Sequence, residues 1–359
     1  MIPMKKIYIL INHFQTQDGV ARTAVGLANE LAKRGHQVTL QSLFKFEPGM
    51  KSWLLPQVEA KPFCGFYFRG FSKVLKLLPD RVLYRMLVKE RYDVEIGFCM
   101  EMPEKIIAAS TNTDCRHYGW IHGYDKGLKL LDTYRKMDKI VAVSKCNEER
   151  FREETGGTIP VCCCHNLVDD NKVRTMGAEA IPVERGPEMT FVVVGRLEPG
   201  KGVLRLIECC GKLKKEGEKL SLWVIGDGEE RSKLENRTEE LGLTENVRFF
   251  GAQSNPYAYM SKADLLVCAS FAEGYSTVCV EANMLGIPVL STCVDGAKEI
   301  VDDAGAGMVV GMDDDSLCDG LRKVLREPEL VAEWKKTVET TRQVFSYRNR
   351  ASELDQLDF

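Results

Sequence analysis

Residues 190–202 read TFVVVGRLEPGKG. An unbroken apolar, β-branched run ends at Gly195, a loop carrying Arg196 and Lys201 follows, and helical spacing takes over across 202–215. A strand that is apolar on both faces belongs in a parallel sheet covered by helices on each side. Downstream the alternation continues, with strands at LSLWVIG, VRFFG, DLLVCAS and PVLST and helices at 229–241 and 277–285. Strands separated by helices of about 10–15 residues specify an α/β doubly wound sheet.

Upstream, IYIL at 7–10 is a strand and NHFQTQDG a loop. Val20, Ala24, Leu27, Ala28 and Leu31 mark a helix that Gly35 is placed to cap, and HQVTLQSLF is the next strand. Further strands are expected at YDVEIGF, HYGWIH, KIVAVS and PVCCCHN. The polar stretch NLVDDNKVRTMGAEAIPVERGP (166–187), broken by Gly and Pro, is read as an interdomain linker. A chain of 359 residues exceeds one ordinary hydrophobic core. The reading is therefore an N-terminal domain over 1–168, a C-terminal domain over 169–342, and a final helix over about 343–359.

Composition narrows the class. No apolar run reaches the roughly 18 residues of a membrane span, and the N-terminal IYILI is too short for a signal-peptide core. A cytoplasmic protein is expected. The 13 cysteines lack zinc-finger spacing, and Cys162, Cys163 and Cys164 are read as core residues. Residues 1–165 hold 25 Lys and Arg against 18 Asp and Glu, a charge of +7, leaving 24 against 34, or −10, for the rest. The two halves face different partners.

Chemistry gathers in two segments. Gly195, Gly200 and Lys201 fit G-x-x-x-x-G-K, but a P-loop needs Ser or Thr next and the residue is Gly202. Arg196 and Lys201 beside a helix N-terminus suit phosphate oxygens without a metal. In FAEGYSTVCVEANMLGIPV, Glu273 and Glu281 stand eight positions apart, and the backbone around Tyr275, Ser276 and Thr277 opens a helix. Carboxylates so placed can grip the hydroxyls of a ribose and a hexose.

The order GRL…KG, WVIGDGEERSKLE, VRFFG and EGYSTVCVEANMLGIPV closely resembles the retaining GT-B glycosyltransferases of family four (group 1), and DGVARTAVGLANELAKRGHQVTL resembles that family's opening helix. The resemblance implies two Rossmann-like domains facing a central cleft, acceptor side first and nucleotide sugar second, with the last helix packing back on the first domain. It implies that Arg196 and Lys201 hold the donor diphosphate, Glu281 the ribose, and Glu273 with Gly274, Tyr275, Ser276 and Thr277 the transferred sugar and its phosphate. Gly19 matches the second glycine of the family's Gly-Gly turn, with Asp18 in place of the first. His122 in WIHGYD matches a histidine set against the donor sugar; His13, His36, His117 and His165 are read as structural. Asn166 and Asp169 match a segment with a fold role.

The activity so implied is metal-independent, cofactor-free transfer of a hexose or N-acetylhexosamine, with retention, from a UDP-sugar to a glycan or lipid-linked acceptor in bacterial surface polysaccharide synthesis. Charge developing on the leaving diphosphate would be met by Arg196, Lys201 and a helix end. A sugar-nucleotide epimerase of the same fold and a P-loop-like nucleotide-binding protein are the competing readings. Nucleic acid is not an expected partner. An anionic membrane surface is, through residues 61–91, where eight basic residues stand against Asp80 and Glu90, and Phe63, Phe66, Tyr67, Phe68 and Phe71 crowd the start. That places the protein at the inner face of the cell membrane.

Overall fold

The computed structural model describes residues 3–15, 19–64, 71–99, 101–123, 129–357 and 359. Its contacts divide the chain into two compact units, Met1–Leu167 with Arg350–Phe359, and Val168–Asn349. Each is a parallel sheet with helices between its strands.

In the first unit seven strands run β1 (Lys6–Ile11), β2 (Gln37–Ser42), β3 (Val58–Pro62), β4 (Val94–Phe98), β5 (Arg116–Ile121), β6 (Lys139–Ala142) and β7 (Val161–Cys163), in the spatial order β3-β2-β1-β4-β5-β6-β7. The second unit holds β8 (Met189–Val194), β9 (Leu220–Ile225), β10 (Val247–Gly251), β11 (Leu265–Cys268), β12 (Val289–Thr292) and β13 (Met308–Val310), in the order β10-β9-β8-β11-β12-β13. All recorded strand pairs are parallel, and the strand order reverses between β1 and β4 in one unit and between β8 and β11 in the other. Loops leaving the carboxyl ends of strands at such a reversal diverge, which opens a crevice suited to ligands. This is the doubly wound, Rossmann-like architecture expected from the alternation of apolar runs and helices.

Three local expectations change. Residues 166–187 are not simply a linker. Asp169 accepts a hydrogen bond from the Lys172 amide at 3.0 Å and caps the helix Asp170–Gly177. Val173 and Gly177, one turn apart, are buried in the second unit. The C-terminal segment is not one helix but the helix Tyr347–Ser352 followed by a 3-10 turn, Glu353–Gln356. Ala351, Leu354 and Leu357 are buried as their spacing requires, and Glu353 receives the backbone N–H of His165 at 2.8 Å. Burial raises the Glu353 carboxyl, yet the His165 bond and charge outweigh this and hold it below the ordinary range.

The third change is in 61–91. Phe71 is buried, edge-on to Phe44 at 6.3 Å, and Phe63 packs partly against the same core. Neither ring is available to a membrane, because the core of the first unit takes them. Phe66, Tyr67, Phe68 and Arg69 lie outside the described residues. In the helices Phe71–Leu75 and Asp80–Leu87 the inward positions include Leu75, Leu83, Tyr84 and Leu87, while Val74, Val82 and Met86, with Leu77 and Leu78 of the turn between the helices, are exposed.

Candidate functional site

Two loops of the second unit carry most of the singled-out residues, and both leave strands at the reversal. The first follows β8. Gly195 donates to the Ile225 carbonyl at 3.0 Å and Leu197 to the Asp227 carbonyl at 2.9 Å, while Leu197 accepts from Glu230 at 3.0 Å. The loop is thus zipped to the turn after β9. There Gly226 has a φ of +146°, and a Cβ on it would stand 1.8 Å from the Gly195 carbonyl oxygen, so only glycine lets the loops approach. Arg196 projects from the zipped loop, its side chain half-exposed and 3.4 Å from Glu198.

A 3-10 turn, Pro199–Lys201, then delivers Lys201, and Gly202 starts the helix Val203–Lys215 from the left-handed region, at φ +65° and ψ +22°. A Cβ at Gly202 would lie 2.0 Å from the Ala269 carbonyl oxygen. The serine or threonine of a P-loop has no room here, and the P-loop reading is set aside on that ground.

The second loop, 269–276, follows β11 and is held from several sides. Gly200 accepts from the Phe271 amide at 2.9 Å, and the Thr292 hydroxyl donates to the Ser270 carbonyl at 2.7 Å. Arg205 does most of the anchoring. Its buried guanidinium donates to the carbonyls of Ala269 (2.8 Å), Ser270 (2.9 Å) and Met312 (2.7 Å), and stacks on Phe271 with 3.9 Å to the ring centroid. Arg205 belongs to no motif of the sequence. A basic residue beside Leu206 and Ile207, on the apolar face of its helix, was the available signal.

These restraints bring Lys201 and Glu273 together. Lys201 Nζ donates to Glu273 Oε1 at 2.8 Å, and the same oxygen accepts the Ser270 hydroxyl at 2.7 Å. Burial works against the Lys201 ammonium, but the Glu273 carboxylate beside it more than offsets this and leaves Lys201 above its ordinary value. Both groups keep a solvent-facing edge. Past Glu273, Gly274, Tyr275 and Ser276 are buried, and Thr277 opens the helix Thr277–Met284. Ser276 stands at its N-cap without a side-chain capping bond, so its first-turn amides are not met by their own cap. One turn in, Glu281 is buried, with Oε1 accepting the Tyr257 hydroxyl at 2.8 Å.

Gly19 and His122 are in the first unit, Gly19 eight residues after the end of β1 and His122 directly after β5. Gly19 opens the helix Gly19–Lys33, and no described atom lies within 4 Å of where its Cβ would be. His122 follows β5, edge-on to Phe98 at 4.5 Å. Burial lowers its pKa to about 3, so it is neutral at physiological pH, and Nε2 has no hydrogen-bond partner among the described residues. Asn12 and Cys99 end the neighbouring strands, joined through Asn12 Nδ2 and Cys99 Sγ at 3.4 Å.

Residues 179–341 match the family model described as Glycosyl transferases group 1. The match lies wholly within the second unit, which is similar to the group 1 glycosyl transferases along most of its length. The lipopolysaccharide core biosynthesis glycosyltransferase LpsD of Rhizobium meliloti is 29% identical over 334 residues, which cover 91% of this chain and 90% of LpsD. The lipopolysaccharide glucosyltransferase WaaG of Escherichia coli is 31% identical over 160 residues, 43% of this chain and 42% of WaaG. Among solved structures, Anabaena HepE in complex with UDP and glucose superposes with a TM-score of 0.75 at 17% identity, covering 98% of each chain. Sucrose-phosphate synthase from Thermosynechococcus elongatus superposes with a TM-score of 0.79 at 16% identity, again over 98% of each. The fold of this glycosyl transferase is GT-B.

Proposed function

We propose that this glycosyl transferase moves a hexose or N-acetylhexosamine, with retention, from a UDP-sugar to a glycan or lipid-linked acceptor in bacterial surface polysaccharide synthesis. The observation that carries the reading is the Lys201–Glu273 pair, a cation and a carboxylate fixed 2.8 Å apart on the two loops that flank the strand reversal. One charge suits a phosphate oxygen and the other a sugar hydroxyl. As the bond from the anomeric carbon to phosphate breaks, negative charge grows on the departing diphosphate, and Lys201, Arg196 and the amides at 274–277 stabilise it there. Glu273 orients the sugar, and Glu281, steadied by Tyr257, takes the ribose hydroxyls. From the first unit, Gly19 is assigned to the donor phosphates, and His122, neutral at physiological pH, to a hydrogen bond with the sugar. The relatives support the choice of donor and acceptor: HepE forms a complex with UDP and glucose, and LpsD and WaaG are named for lipopolysaccharide.

The test is thermal shift against UDP, GDP, ADP and their sugars, followed by product analysis with and without EDTA. A ligand at 100 times its Kd stabilises by about 2.7 kcal/mol. No shift with any uridine nucleotide, or transfer that EDTA stops and only Mg²⁺ or Mn²⁺ restores, refutes the proposal.

The acceptor is met at an anionic membrane surface. No described helix is long and apolar enough to cross a membrane. The exposed Val74, Leu77, Val82 and Met86 alternate with the exposed Lys73, Lys76, Arg81 and Arg85, the composition of a headgroup-boundary surface. Phosphatidylglycerol vesicles should sediment the protein at low salt and release it at high salt, whereas phosphatidylcholine vesicles should not bind it. Recovery in the supernatant with both lipids removes the membrane from this reading.

A further inference from the structure

We propose that Glu95, Cys115 and His117 form a Zn²⁺ site at the amino-terminal edge of the first unit's sheet, separate from sugar transfer. Glu95 is the second residue of β4 and His117 the second of β5, and the parallel register sets them opposite each other. Cys115 lies two residues before His117, so the strand period of two returns its side chain to the same face. The carboxylate oxygen, imidazole nitrogen and thiol sulfur of the three all lie within 4.8 Å of one another.

The buried polar atoms point to an ion between them. Glu95 is fully buried, and its Oε1 accepts the Tyr84 hydroxyl at 2.8 Å. Its Oε2 faces His117 Nε2 at 3.5 Å, and neither atom has a hydrogen-bond partner among the described residues. A charge-assisted N–H···O bond closes to about 2.7–2.9 Å. Ligands on a tetrahedral Zn²⁺ with bonds of about 2.0–2.3 Å stand roughly 3.3–3.8 Å apart, which the 3.5 Å separation matches. Among the described residues no lysine or arginine lies within ion-pair distance of Glu95, which leaves a buried carboxylate for a cation to compensate.

The surroundings suit ligation. His117 turns its other nitrogen toward Asp138, Nδ1 to Oδ2 being 3.7 Å, and Asp138 Oδ2 also accepts the His117 amide at 2.7 Å. A carboxylate behind the ligating imidazole fixes ring and tautomer. The His117 side chain retains 14% exposure, an opening for a water as fourth ligand. A thiol that coordinates Zn²⁺ gives up its proton to do so, so binding should strengthen as pH rises. Nitrogen, sulfur and oxygen together select Zn²⁺ over Mg²⁺ or Ca²⁺. The strand ends that carry this cluster are opposite those that lead to Gly19 and His122, so the ion braces the sheet.

The experiment uses the full chain, stripped with a chelator under reducing conditions, reloaded with ZnCl₂, dialysed and assayed by mass spectrometry for metal. Wild type should retain about one Zn²⁺ per chain. Cys115→Ser and His117→Gln should retain almost none, while Cys146→Ser, a control thiol, retains the wild-type amount. Asp138→Asn should bind about 10–100-fold more weakly. Loaded with Co²⁺, wild type should show thiolate-to-metal charge-transfer absorption that Cys115→Ser lacks. Cys115→Ser keeps the size of the side chain and so tests the site even if His117→Gln folds poorly, with circular dichroism as the check. A wild-type chain that retains no Zn²⁺, which would make Glu95–His117 an ion pair only, or variants that retain as much as wild type, overturns the proposal.

Discussion

Replacing Gly202 by alanine puts a methyl group where the Ala269 carbonyl stands. The native φ of +65° costs a non-glycine residue about 1–2 kcal/mol. A Cβ 2.0 Å from the Ala269 oxygen cannot be accommodated without moving backbone, because that carbonyl is pinned by Arg205 at 2.8 Å. If the carbonyl yields, one charged hydrogen bond weakens, worth about 1.5–3 kcal/mol. Together these give a loss of roughly 2.5–5 kcal/mol, a large share of the 5–15 kcal/mol typical of a folded domain. The displaced segment also carries Ser270 and Glu273, so the Lys201–Glu273 pair should loosen and transfer should slow. Gly200→Ala is the matched control two residues away: its φ is not positive and no described atom lies within 4 Å of its Cβ. It should be neutral or stabilising by about 0.4–1 kcal/mol. Gly202→Ser, which completes the P-loop signature, should be as damaging as Gly202→Ala. Urea midpoints by fluorescence and initial transfer rates measure both effects. Equal midpoints for Gly202→Ala and Gly200→Ala would mean that the Ala269 carbonyl does not require glycine at 202, and a gain of Mg²⁺-dependent nucleotide hydrolysis in Gly202→Ser would mean that a P-loop does fit there.

Lys201→Ala and Arg196→Ala should each lower kcat more than they raise KM, by on the order of 3 kcal/mol in the barrier, and near-normal turnover would move the diphosphate elsewhere. Glu281→Ala should weaken UDP itself, and Tyr257→Phe should do so by about 1 kcal/mol through the lost 2.8 Å bond, whereas Glu273→Ala should spare UDP and impair transfer; calorimetry with UDP separates the two carboxylates. Burial holds the Glu104 carboxyl well above its ordinary range, even with the Tyr134 hydroxyl donating to it at 3.1 Å. Above about pH 4.3 the unfolded chain has released this proton and the folded chain keeps it, so stability falls by about 1.4 kcal/mol per pH unit until the folded value is reached. Glu104→Gln lacks that slope, and its stability relative to wild type should rise from pH 5 to pH 8; a constant difference would mean the group is ionised in the fold.

What the sequence determined by itself was whatever is written locally. The runs at 190–194 and 220–225 could only be strands buried on both faces, their helical partners followed from apolar spacing, and the two-unit α/β architecture came from their alternation. The loop motifs were legible because Arg196, Lys201, Glu273 and Glu281 are polar residues interrupting those patterns at strand ends. The two strands not anticipated, β3 and β13, are both sheet edges. An edge strand is covered less fully, so VEAKP and MVV need no long apolar run and leave little trace.

Tertiary structure decided the rest, because distance in space is not written in spacing along the chain. It assigned the reason for Gly202, an oxygen 67 positions away, and the role of Arg205, whose partners are carbonyls at 269, 270 and 312. It turned Phe71 inward and Leu77 outward in a segment whose composition is symmetric between core and membrane. It set Glu95 against His117, 22 residues apart, because parallel register is fixed by the packing of whole strands and leaves no local mark.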